Sequence, residues 1–527
     1  MKRCPQCNRV ETDKTLKFCR VDGASLVAAP LTESESATMT LTPSPESHEI
    51  TTSSQNQKPT TSALGAIKSI AVLPFANISA DAENEFFCDG LAEELLNALA
   101  KVDGLKVTAR TSSFSFKGKQ VNVDQIGQTL RVNTILEGSV RRAGNRLRIT
   151  VQLINVADSY HLWSERYDRE LKDIFDVQDE ITLAVVAALK IKLLGEDQEA
   201  VLKRGTDDPE SFELYLRGRF YWNKRTGAAL NKAIELFRQA VAKDPNFALA
   251  YVGIADCFTQ ITLYLGTHTT ETLPYARAAA ERALQLDDTV AEAHASMGQV
   301  HFRALQWEQA EQAYQRAIRL NPNYPTAHHW YSEYFRVLRR RNDELREIKR
   351  AMDLDPLSPL FCTLVGEAYR GGGDMAGAVN EWQRVIELEP NFPLSHFFLG
   401  GTYAEQQRFD EAIAEAEKAV ALSERGGLFL GGLGQSYALA GKESEAMAIV
   451  AELEQRYAEH TASGFNLAQV YIGLRDIEQA LTWLERDFET GNTGWLVYVT
   501  FRMFYDLLRD HARYHDLLRR MGMRIAE

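Results

Sequence analysis

Four residues near the amino terminus have the types and the spacing of metal ligands. Cys4 and Cys7 are separated by two residues, and after eleven further residues Cys19 and Asp22 repeat that spacing. Two such pairs allow two turns each to offer two ligands to one tetrahedral zinc ion. Asp22 stands where a fourth cysteine would be expected, and a carboxylate oxygen can also bind zinc. We therefore predict a structural Zn2+ ion; the alternative is a degenerate module without metal. The predicted ligands are Cys4, Cys7, Cys19 and Asp22.

Residues 1–26, which contain these ligands, resemble the small bacterial zinc-ribbon domains that open with the sequence Met-Lys-Arg-Cys-Pro, as this chain does. The resemblance implies a small structural zinc module. From Met1 to Asp22, six Lys or Arg residues outnumber three acids. This positive charge could contact phosphate, but a solvated basic face is the preferred interpretation.

Three carboxylates on a predicted helix raise the question of catalysis. Asp89, Glu93 and Glu94 lie about one turn apart, and such a pair could bind a cation or act as acid and base. The competing interpretation is that they are exposed helix acids beside the apolar Leu91 and Leu95, and we favour it. The sequence contains no P-loop, no GxSxG elbow, no HExxH helix and no kinase loop. We therefore predict that the protein is not an enzyme.

A basic stretch is the second candidate binding surface. Between positions 336 and 350 seven basic residues accompany three acids. On a protein with a net charge of -13, this stretch could bind an acidic peptide or nucleic acid. The alternative is a solvated helix face laced with i,i+4 ion pairs, which is slightly favoured. The basic residues are Arg336, Arg339, Arg340, Arg341, Arg346, Lys349 and Arg350.

A 34-residue period organises the larger part of the chain. Small residues recur at this interval, followed three positions later by an aromatic residue or His. This spacing predicts paired helices that stack into a solenoid. An extra nine residues, placed at Thr262 to Thr270, lengthen one unit. The recurring alanines are Ala233, Ala276, Ala310, Ala378, Ala412, Ala446 and Ala480, and Glu344 stands at the skipped position.

The unit from Ala291 to Pro322 resembles the tetratricopeptide repeat, abbreviated TPR. About eight units are predicted over residues 205–490, followed by a helical cap over residues 491–527. The resemblance implies an all-α superhelix whose concave face binds a peptide or protein. That solenoid would present Arg336 to Arg350 in its fourth unit.

The preceding residues, 67–200, are predicted to form an α/β domain with one mixed sheet. The pattern predicts strands at 67–75, 105–109 and 159–167, a hairpin over 132–156, and helices at 86–102, 125–130 and 174–194. The stretches Ile70 to Phe75, Phe87 to Leu95 and Leu162 to Asp168 resemble the TolB-like amino-terminal domain of bacterial multidomain proteins. In such proteins this domain commonly stands between a signalling head and a tetratricopeptide tail.

Composition sets the remaining expectations. The chain has 527 residues, 45% of them apolar and 25% charged, which is ordinary for a multidomain globular protein. Residues 27–66 are rich in Ser, Thr and Pro and are predicted to be a disordered linker. We expect no membrane helix and no secretory signal, and hence a cytoplasmic location. The remaining cysteines should be buried small apolar residues: Cys88, Cys257 and Cys362.

The predicted fold class is thus multidomain: a small zinc ribbon, an α/β domain with one mixed sheet, and an all-α TPR superhelix. The predicted function is a non-enzymatic cytoplasmic adaptor or scaffold in bacterial signalling or regulation, which binds a protein or peptide on the concave face of the superhelix. The alternative is a transcriptional regulator that contacts nucleic acid through the zinc ribbon and the basic stretch. No membrane partner is expected.

Overall fold

The computed structural model describes most of the chain beyond residue 67. It covers residues 68–79, 84–191, 205–224 and 226–524, with residues 2–3, 10–11 and 27–28 and the single positions 193, 198, 201 and 203. The four predicted zinc ligands and nearly all of the predicted linker lie outside the described residues. The chain divides into two compact units, Met1–Leu64 and Gly65–Glu527.

The first unit is described only by three short strands. They are β1 (Lys2–Arg3), β2 (Val10–Glu11) and β3 (Val27–Ala28). Both β2 and β3 pair with β1 in antiparallel register, so the order is β2-β1-β3.

The second unit begins with a mixed sheet flanked by helices. The order across the sheet is β6-β4-β7-β8-β9, and β5 pairs with β7. The strand β4 runs parallel to both neighbours, whereas β7, β8 and β9 form an antiparallel meander. The elements are β4 (Lys68–Val72), β5 (Ala76–Asn77), α1 (Glu85–Ala100), β6 (Leu105–Thr108), α2 (Arg110–Phe114), α3 (Val123–Leu130), β7 (Thr134–Ala143), β8 (Arg146–Asn155), β9 (His161–Glu170) and α4 (Ile174–Ala188).

Burial explains why these residues form these elements. Ile70, Ala71 and Val72 of the central strand β4 are inaccessible to solvent, because the sheet is covered on both faces at that point. The peripheral strand β8 instead alternates, with Leu147 and Ile149 facing the helices. The mixed-sheet architecture expected from the sequence is therefore confirmed. The short helix α2 and strand β5 were not predicted, since each is too short to carry a periodic pattern.

The rest of the second unit is helical, and its long helices form eight antiparallel pairs in the described residues. The pairs are α5 (Pro209–Trp222) with α6 (Gly227–Lys243), α7 (Ala248–Leu265) with α8 (Thr269–Leu286), α9 (Ala291–Arg303) with α10 (Trp307–Leu320), α11 (Pro325–Val337) with α12 (Arg341–Leu354), α13 (Pro359–Gly371) with α14 (Met375–Leu388), α15 (Pro393–Glu405) with α16 (Phe409–Leu422), α17 (Gly427–Leu439) with α18 (Glu443–Ala458), and α19 (Gly464–Gly473) with α20 (Ile477–Glu489). Three short helices follow: α21 (Thr493–Leu496), α22 (Arg502–Leu508) and α23 (Ala512–Arg520).

The small residues of the repeat are required by close helix packing. A Cβ atom at Gly298 would lie 2.5 Å from the Tyr314 ring, and one at Gly366 would lie 2.5 Å from the Trp382 indole. In each case the large side chain comes from the partner helix of the same pair. The recurring alanines, for example Ala310, are inaccessible to solvent for the same reason. Because these contacts are local in sequence, the 34-residue period predicts them directly.

The array curves so that the first helix of each pair lies on its inner side. First helices of neighbouring pairs contact one another along most of the array, as α7 does with α9 and α17 with α19. Second helices contact principally the first helices of their own and the following pair. Since the elements on the inside of a curved stack must be the closer ones, the first helices form the concave face. This all-helical superhelix agrees with the sequence-based expectation.

The nine extra residues of the second pair lengthen its helices, and the lengthened tip reaches the far end of the array. Helices α7 and α8 have 18 residues each. The ring of His268, between them, stacks on that of His460 with centroids 4.3 Å apart. His460 also pairs with Glu271 across 2.8 Å. The insertion therefore joins the second pair to the loop after the seventh, and the superhelix closes on itself.

One helix of the array, α7, is long and apolar enough to cross a membrane by length and composition. Buried core helices meet the same criterion, and 67% of this one is buried in the fold. It packs as the first helix of the second pair.

Candidate functional site: the inner face of the helical array

One position of the first helices, identified in seven of the eight pairs, marks the inner face. It immediately follows the small residue of the repeat, and from the third pair onward it recurs every 34 residues. In the first pair the same position is Arg219, because Gly218 packs against Phe237 as Gly298 packs against Tyr314. The positions are Arg219, Gln299, Glu333, Glu367, Gly401, Gln435 and Gln469.

The amino-terminal end of this face is covered by helix α1 of the α/β domain. A Cβ atom at Gly90 would lie 2.7 Å from Leu216, so the two helices approach closely. Glu93 receives the guanidinium groups of Arg219, at 3.1 Å, and of Arg110, at 2.8 Å. One hydrophobic core runs from the sheet through this contact into the first helical pairs. Arg219, the first of these inner positions, therefore forms an ion pair with the α/β domain of the same chain.

The structure corrects the interpretation of the acids of α1 as exposed. Asp89 and Glu93 are buried, at 4% and 5% exposure. Both carboxylate oxygens of Asp89 accept hydrogen bonds from the Lys117 ammonium at 2.7 Å. The sequence pattern missed this burial because the helix is covered on two sides, by its own sheet and by α5. Asp89 and Glu93 are therefore each paired with a cation inside the fold.

The pKa values of two neighbouring carboxyl groups in this cluster, Glu93 and Glu94, are shifted in opposite directions. Burial alone would raise the pKa of Glu93, but the charges of Arg110 and Arg219 outweigh it and lower that pKa. Burial, with the adjacent charge of Glu93, raises the pKa of Glu94 to about 7. The difference arises because Glu94 has Asn97 rather than an arginine as its hydrogen-bond partner. The cluster is thus an electrostatic joint between the domain and the array.

A second joint ties the α/β domain to the loop between the fourth and fifth pairs. The Ser112 amide donates to the Asp355 carboxylate at 2.6 Å, and the Leu357 amide donates to the Ser112 hydroxyl at 2.7 Å. The Ala109 amide donates to the Leu354 carbonyl at 2.7 Å. Burial raises the pKa of Asp355. These contacts join residues more than 240 positions apart, so no local pattern predicts them.

The middle of the inner face holds the C-terminal segment, residues 491–524. The Arg303 guanidinium donates to the Gly494 carbonyl at 2.6 Å and to the Tyr498 hydroxyl at 3.2 Å. The Thr493 hydroxyl donates back to the Arg303 carbonyl. Arg303 is only 2% exposed. An arginine on the inner face therefore hydrogen-bonds to the main chain of the segment.

The same pattern continues along the next two pairs. The Thr500 hydroxyl donates to the Val337 carbonyl at 2.7 Å, and the Arg502 guanidinium donates to the Arg370 carbonyl at 3.5 Å. Apolar side chains of the segment complete the contact and are inaccessible to solvent: Leu496, Val499, Phe504 and Leu508.

The residues expected to cap the array do more than cap it. Helix α23 packs on α20, where Arg513 pairs with Glu485 at 2.8 Å. The following turn crosses to the third pair, where the Trp307 indole donates to the Met521 carbonyl at 2.8 Å. Stacking on the last pair would satisfy a cap, but the aromatic residues before α23 need a larger apolar surface, which the inner face supplies.

The basic stretch of the fourth pair is largely consumed by contacts within the chain. Arg336 is 6% exposed, pairs with Glu333 at 3.3 Å and lies over the Phe501 ring of the C-terminal segment. Arg339 lies 3.6 Å from the centroid of the Tyr505 ring. Burial alone would raise the pKa of Glu333, but His329 and Arg336 lower it to about 2.

The remaining members have partners on their own pair or on the pairs and loops next to it. Arg340 reaches Glu311 and Asp343, Arg341 reaches Glu344, and Arg346 reaches Asp343 and Glu347. Lys349 lies over the Tyr369 ring, and Arg350 donates to Asn323. The Glu344 that replaces the expected alanine is buried against Arg341.

A small opening remains on the inner face between the fifth and seventh pairs. Its walls include Phe397 and Gly432 of the first helices and Met503 of the C-terminal segment. Its interior volume is about 20 Å³, room for roughly one water molecule. Gly401 and Gln435, two of the inner positions, line it. The C-terminal segment, through Met503, covers this part of the inner face only partly.

The predicted metal site is untested by the structure, because its ligands lie outside the described residues. Among the residues that are described, no group of three or more His, Cys, Asp or Glu side chains could hold a metal ion. Cys88, Cys257 and Cys362 are buried, as predicted.

Comparison with protein families identifies the repeats. Residues 291–324 and 364–427 match models of the tetratricopeptide repeat. The helical array is an array of tetratricopeptide repeats. Residues 66–184 match the model described as HilA/YgeH-like transcriptional regulator, second domain. This is the stretch in which the sequence resembles TolB-like domains, and that resemblance stays a prediction.

Known proteins resemble parts of the chain. A protein of Rhizobium meliloti (strain 1021), "Putative adenylate cyclase 3", is 38% identical over 245 residues, which are 46% of this chain and 41% of that protein. The chain thus spans about two fifths of the relative's length. Among solved structures, Pseudomonas aeruginosa pilF is 16% identical, with a TM-score of 0.31, 40% of this chain covered and 94% of that one. The TPR protein YrrB is 20% identical, with a TM-score of 0.26 and coverages of 35% and 91%.

The curated relative corrects one expectation. The absence of recognised catalytic motifs led to the prediction that the protein is not an enzyme. A relative that is 38% identical over 245 residues carries the name of an adenylate cyclase, which is an enzyme. The prediction is therefore wrong. Motif searches find only chemistries whose residue patterns are already known, so their silence could not support it.

Proposed function

We propose that this chain is a regulatory scaffold whose tetratricopeptide array binds a segment of a protein partner on its inner face. Tetratricopeptide repeats are protein-binding modules, and this coarser role follows from the repeats themselves. The observation that carries the proposal is that the inner face already holds a segment of its own chain, which consists of short helices and turns. Arg303 donates to the Gly494 carbonyl, and Thr500 and Arg502 donate to carbonyls of the first helices.

We place the partner at the opening between the fifth and seventh pairs. The phenylalanine walls suit an apolar side chain, and Gln435 offers an amide to a peptide main chain. Arg370 lies at the same opening, paired with Glu367 and Glu405. Met503 would move aside on binding, since methionine side chains repack easily. The rest of the C-terminal segment stays in place because Leu496, Phe504 and Leu508 are inaccessible to solvent.

Site-specific photo-crosslinking in the source cells tests this placement. A photoreactive amino acid is introduced in the full-length chain at Gln435, on the inner face, or at Ala414, which is exposed on the second helix α16. We expect a defined protein to crosslink from position 435 and not from position 414. Crosslinking from 414 alone, or equally from both positions, would show that the partner uses the outer surface.

A second candidate function is a transcriptional regulator that contacts nucleic acid. The match of residues 66–184 to a transcriptional-regulator model favours it. We assign the contact to the amino-terminal module, because the basic residues of the fourth pair already have partners in the fold. Binding to duplex DNA should then weaken steeply with salt and be lost in Cys4→Ser. Binding that survives this substitution but fails after Arg346→Glu would reverse the assignment.

The zinc site and the location of the protein remain proposals. We propose one structural Zn2+ on Cys4, Cys7, Cys19 and Asp22, and a cytoplasmic protein. Metal analysis of the purified full-length chain should find one equivalent of zinc, which Cys19→Ser removes. Cell fractionation tests the location.

The relative is named as an adenylate cyclase, and we therefore propose that the scaffold acts in signalling. We propose that the 245-residue stretch shared by the two proteins regulates an output in each, since a shared stretch covering 41% of the relative leaves most of that protein different. Measuring cyclic AMP in source cells with and without this chain tests the link. A change is expected, and unchanged levels would separate the two proteins' roles.

A further inference from the structure

The edge strand β9 offers a long row of unpaired backbone groups. It ends the sheet order, and among the described residues no strand lies beyond it. Eight of its ten residues are exposed, with only Trp163 and Tyr167 partly or fully covered. The opposite edge, at β6, is covered, because the adjoining Ala109 amide is bonded to the Leu354 carbonyl of the array. The β6 edge of the sheet is thus covered by the array, whereas the β9 edge is open in the part of the chain that the structure describes.

The backbone hydrogen bonds of β9 show which of its residues face the open edge. In an antiparallel strand, alternate residues direct both their N–H and C=O to the same side. The Leu171 amide donates to the Asn145 carbonyl, on the side of β8. The register is regular from Trp163 to Glu170, so residues of odd number also face β8. The residues that direct their backbone to the open edge are Ser164, Arg166, Asp168 and Glu170.

The charge pattern of this edge is self-complementary about Tyr167. If a second copy of β9 pairs antiparallel with its Tyr167 opposite this Tyr167, Arg166 faces Asp168 of the other copy. In the same register Glu165 faces Arg169. Two-fold symmetry repeats both pairs, so four oppositely charged pairs form across the new edge. Opposite charges at directly facing positions stabilise a strand pair, and like charges destabilise it.

Neighbouring registers lack this complementarity. Centring the pair on Glu165, Arg166 or Asp168 places each of these charges against its own copy. Single charges on an edge strand usually prevent association. Here their order around Tyr167 instead selects one antiparallel register and disfavours the adjacent ones.

We propose that β9 is a self-association edge, at which two copies of this chain pair antiparallel through residues 163–171. The H-bonded pairs would be Arg166 with Asp168 and Ser164 with Glu170 of the other copy. The two five-strand paths then join into a ten-stranded sheet, which is within the size of open twisted sheets. The surface lies on the α/β domain, away from the inner-face opening assigned to the partner, and does not depend on that assignment.

Light scattering coupled to size-exclusion chromatography of the full-length chain tests the proposal. We expect a dimer. Arg166→Asp and Asp168→Arg should each weaken dimerisation by about tenfold or more, because each change turns attractive pairs into repulsive ones at two symmetric places. The exchange variant carrying both changes restores opposite charges across the new edge and should recover most of the dimerisation, less the cost of placing an arginine at position 168 opposite Arg148 of β8.

A proline tests the backbone part of the edge. The Ser164 amide points to the open edge, so Ser164→Pro removes a bond of the dimer without removing one to β8. It should abolish the dimer while the circular dichroism spectrum stays native. The matched control is Lys119→Asp, which makes the same charge change as Arg166→Asp at an exposed position outside the sheet and should remain dimeric.

Three results would overturn the proposal. The first is a wild-type chain that is monomeric at every concentration. The second is a dimer that persists in both Arg166→Asp and Ser164→Pro. The third is a charge exchange that fails to restore what the single changes removed, since that would exclude the register centred on Tyr167.

Discussion

Two charged clusters look alike in the sequence and differ in the structure. The acids of α1, Asp89 and Glu93, lie between the α/β domain and the array and are held by cations from other elements. The basic residues of the fourth pair are mostly matched within that pair, as Arg346 is with Asp343. The first cluster is an interdomain joint, and most of the second is a helix surface.

The difference lies in solvent exposure and in the sequence distance of the partners. The Glu93 side chain is 6% exposed and its partner Arg219 is 126 residues away. Arg346 is 59% exposed and its partner is three residues away. A buried charge must be matched, whereas an exposed one is solvated whether or not it is matched. Charge density in a sequence therefore does not identify a binding site until burial is known.

The largest effect should come from breaking the buried acidic joint. Glu93→Ala leaves Arg110 and Arg219 without their carboxylate and should cost about 3–5 kcal/mol of unfolding free energy. Urea denaturation measures it. The double variant Glu93→Met with Arg219→Met removes charge from both sides, and it should be more stable than Glu93→Ala. Equal losses in the two variants would show that packing rather than charge holds this joint.

Arg336 should have the next largest effect, because it is buried under the C-terminal segment at 6% exposure. Arg336→Ala loses the contact with the Phe501 ring and one partner of Glu333. We expect a loss of about 2 kcal/mol, less than for Glu93, since Glu333 keeps His329. Denaturation under the same conditions tests it. If Arg336→Ala loses less unfolding free energy than Arg346→Ala does, Arg336 behaves like the exposed basic residues of the fourth pair.

A pH dependence should distinguish the two adjacent carboxyls of α1. The folded-state pKa of Glu94 is raised to about 7 from 4.5, so the folded state binds more protons between these values. Its contribution to stability is present at low pH and is lost as pH rises from about 4.5 to 7. Glu94→Gln should reduce this fall by on the order of 1 kcal/mol. An unchanged slope in the variant would contradict the shift.

Asp487 provides an internal reference for that experiment. Burial raises its pKa to about 7, and it lies on α20, away from α1. The contribution of Asp487 to stability also decreases as the pH rises, and this decrease should persist in Glu94→Gln. The comparison of wild type and variant therefore isolates Glu94.

The smallest effect should come from the exposed end of the basic stretch. Arg346→Ala removes pairs with Asp343 and Glu347 that lie at the surface. We expect a change of about 0.5 kcal/mol or less, decreasing further with added salt. A loss as large as that of Arg336→Ala would show that the fourth pair is a single cooperative charge network.

The sequence predicted the parts of the fold that local contacts determine. The strand predicted at 67–75 contains β4 (Lys68–Val72), and the helix predicted at 86–102 contains most of α1 (Glu85–Ala100). In the array, a glycine and the ring that it contacts belong to one helical pair, as Gly366 and Trp382 do. Such contacts repeat with the sequence and can be read from it.

The candidate site could be predicted only in outline. Tetratricopeptide periodicity indicates a concave face and, with it, a protein-binding role. The aromatic residues around Trp495 and Phe501 predict a segment that packs against an apolar surface, and from the sequence that segment is assigned to the helical cap of the array. Nothing in the local pattern showed that Arg303 would meet Gly494, because 191 residues separate them.

By itself, the sequence determined the helical pairs, their 34-residue spacing and the mixed sheet, because each depends on apolar periodicity and on contacts between neighbouring elements. The tertiary structure decided what occupies the inner face, which charges are buried and which sheet edge stays open. Closure of the superhelix brings distant segments together, as when His268 stacks on His460. Whether a polar group is matched or free depends on those distant segments, and no local spacing encodes them.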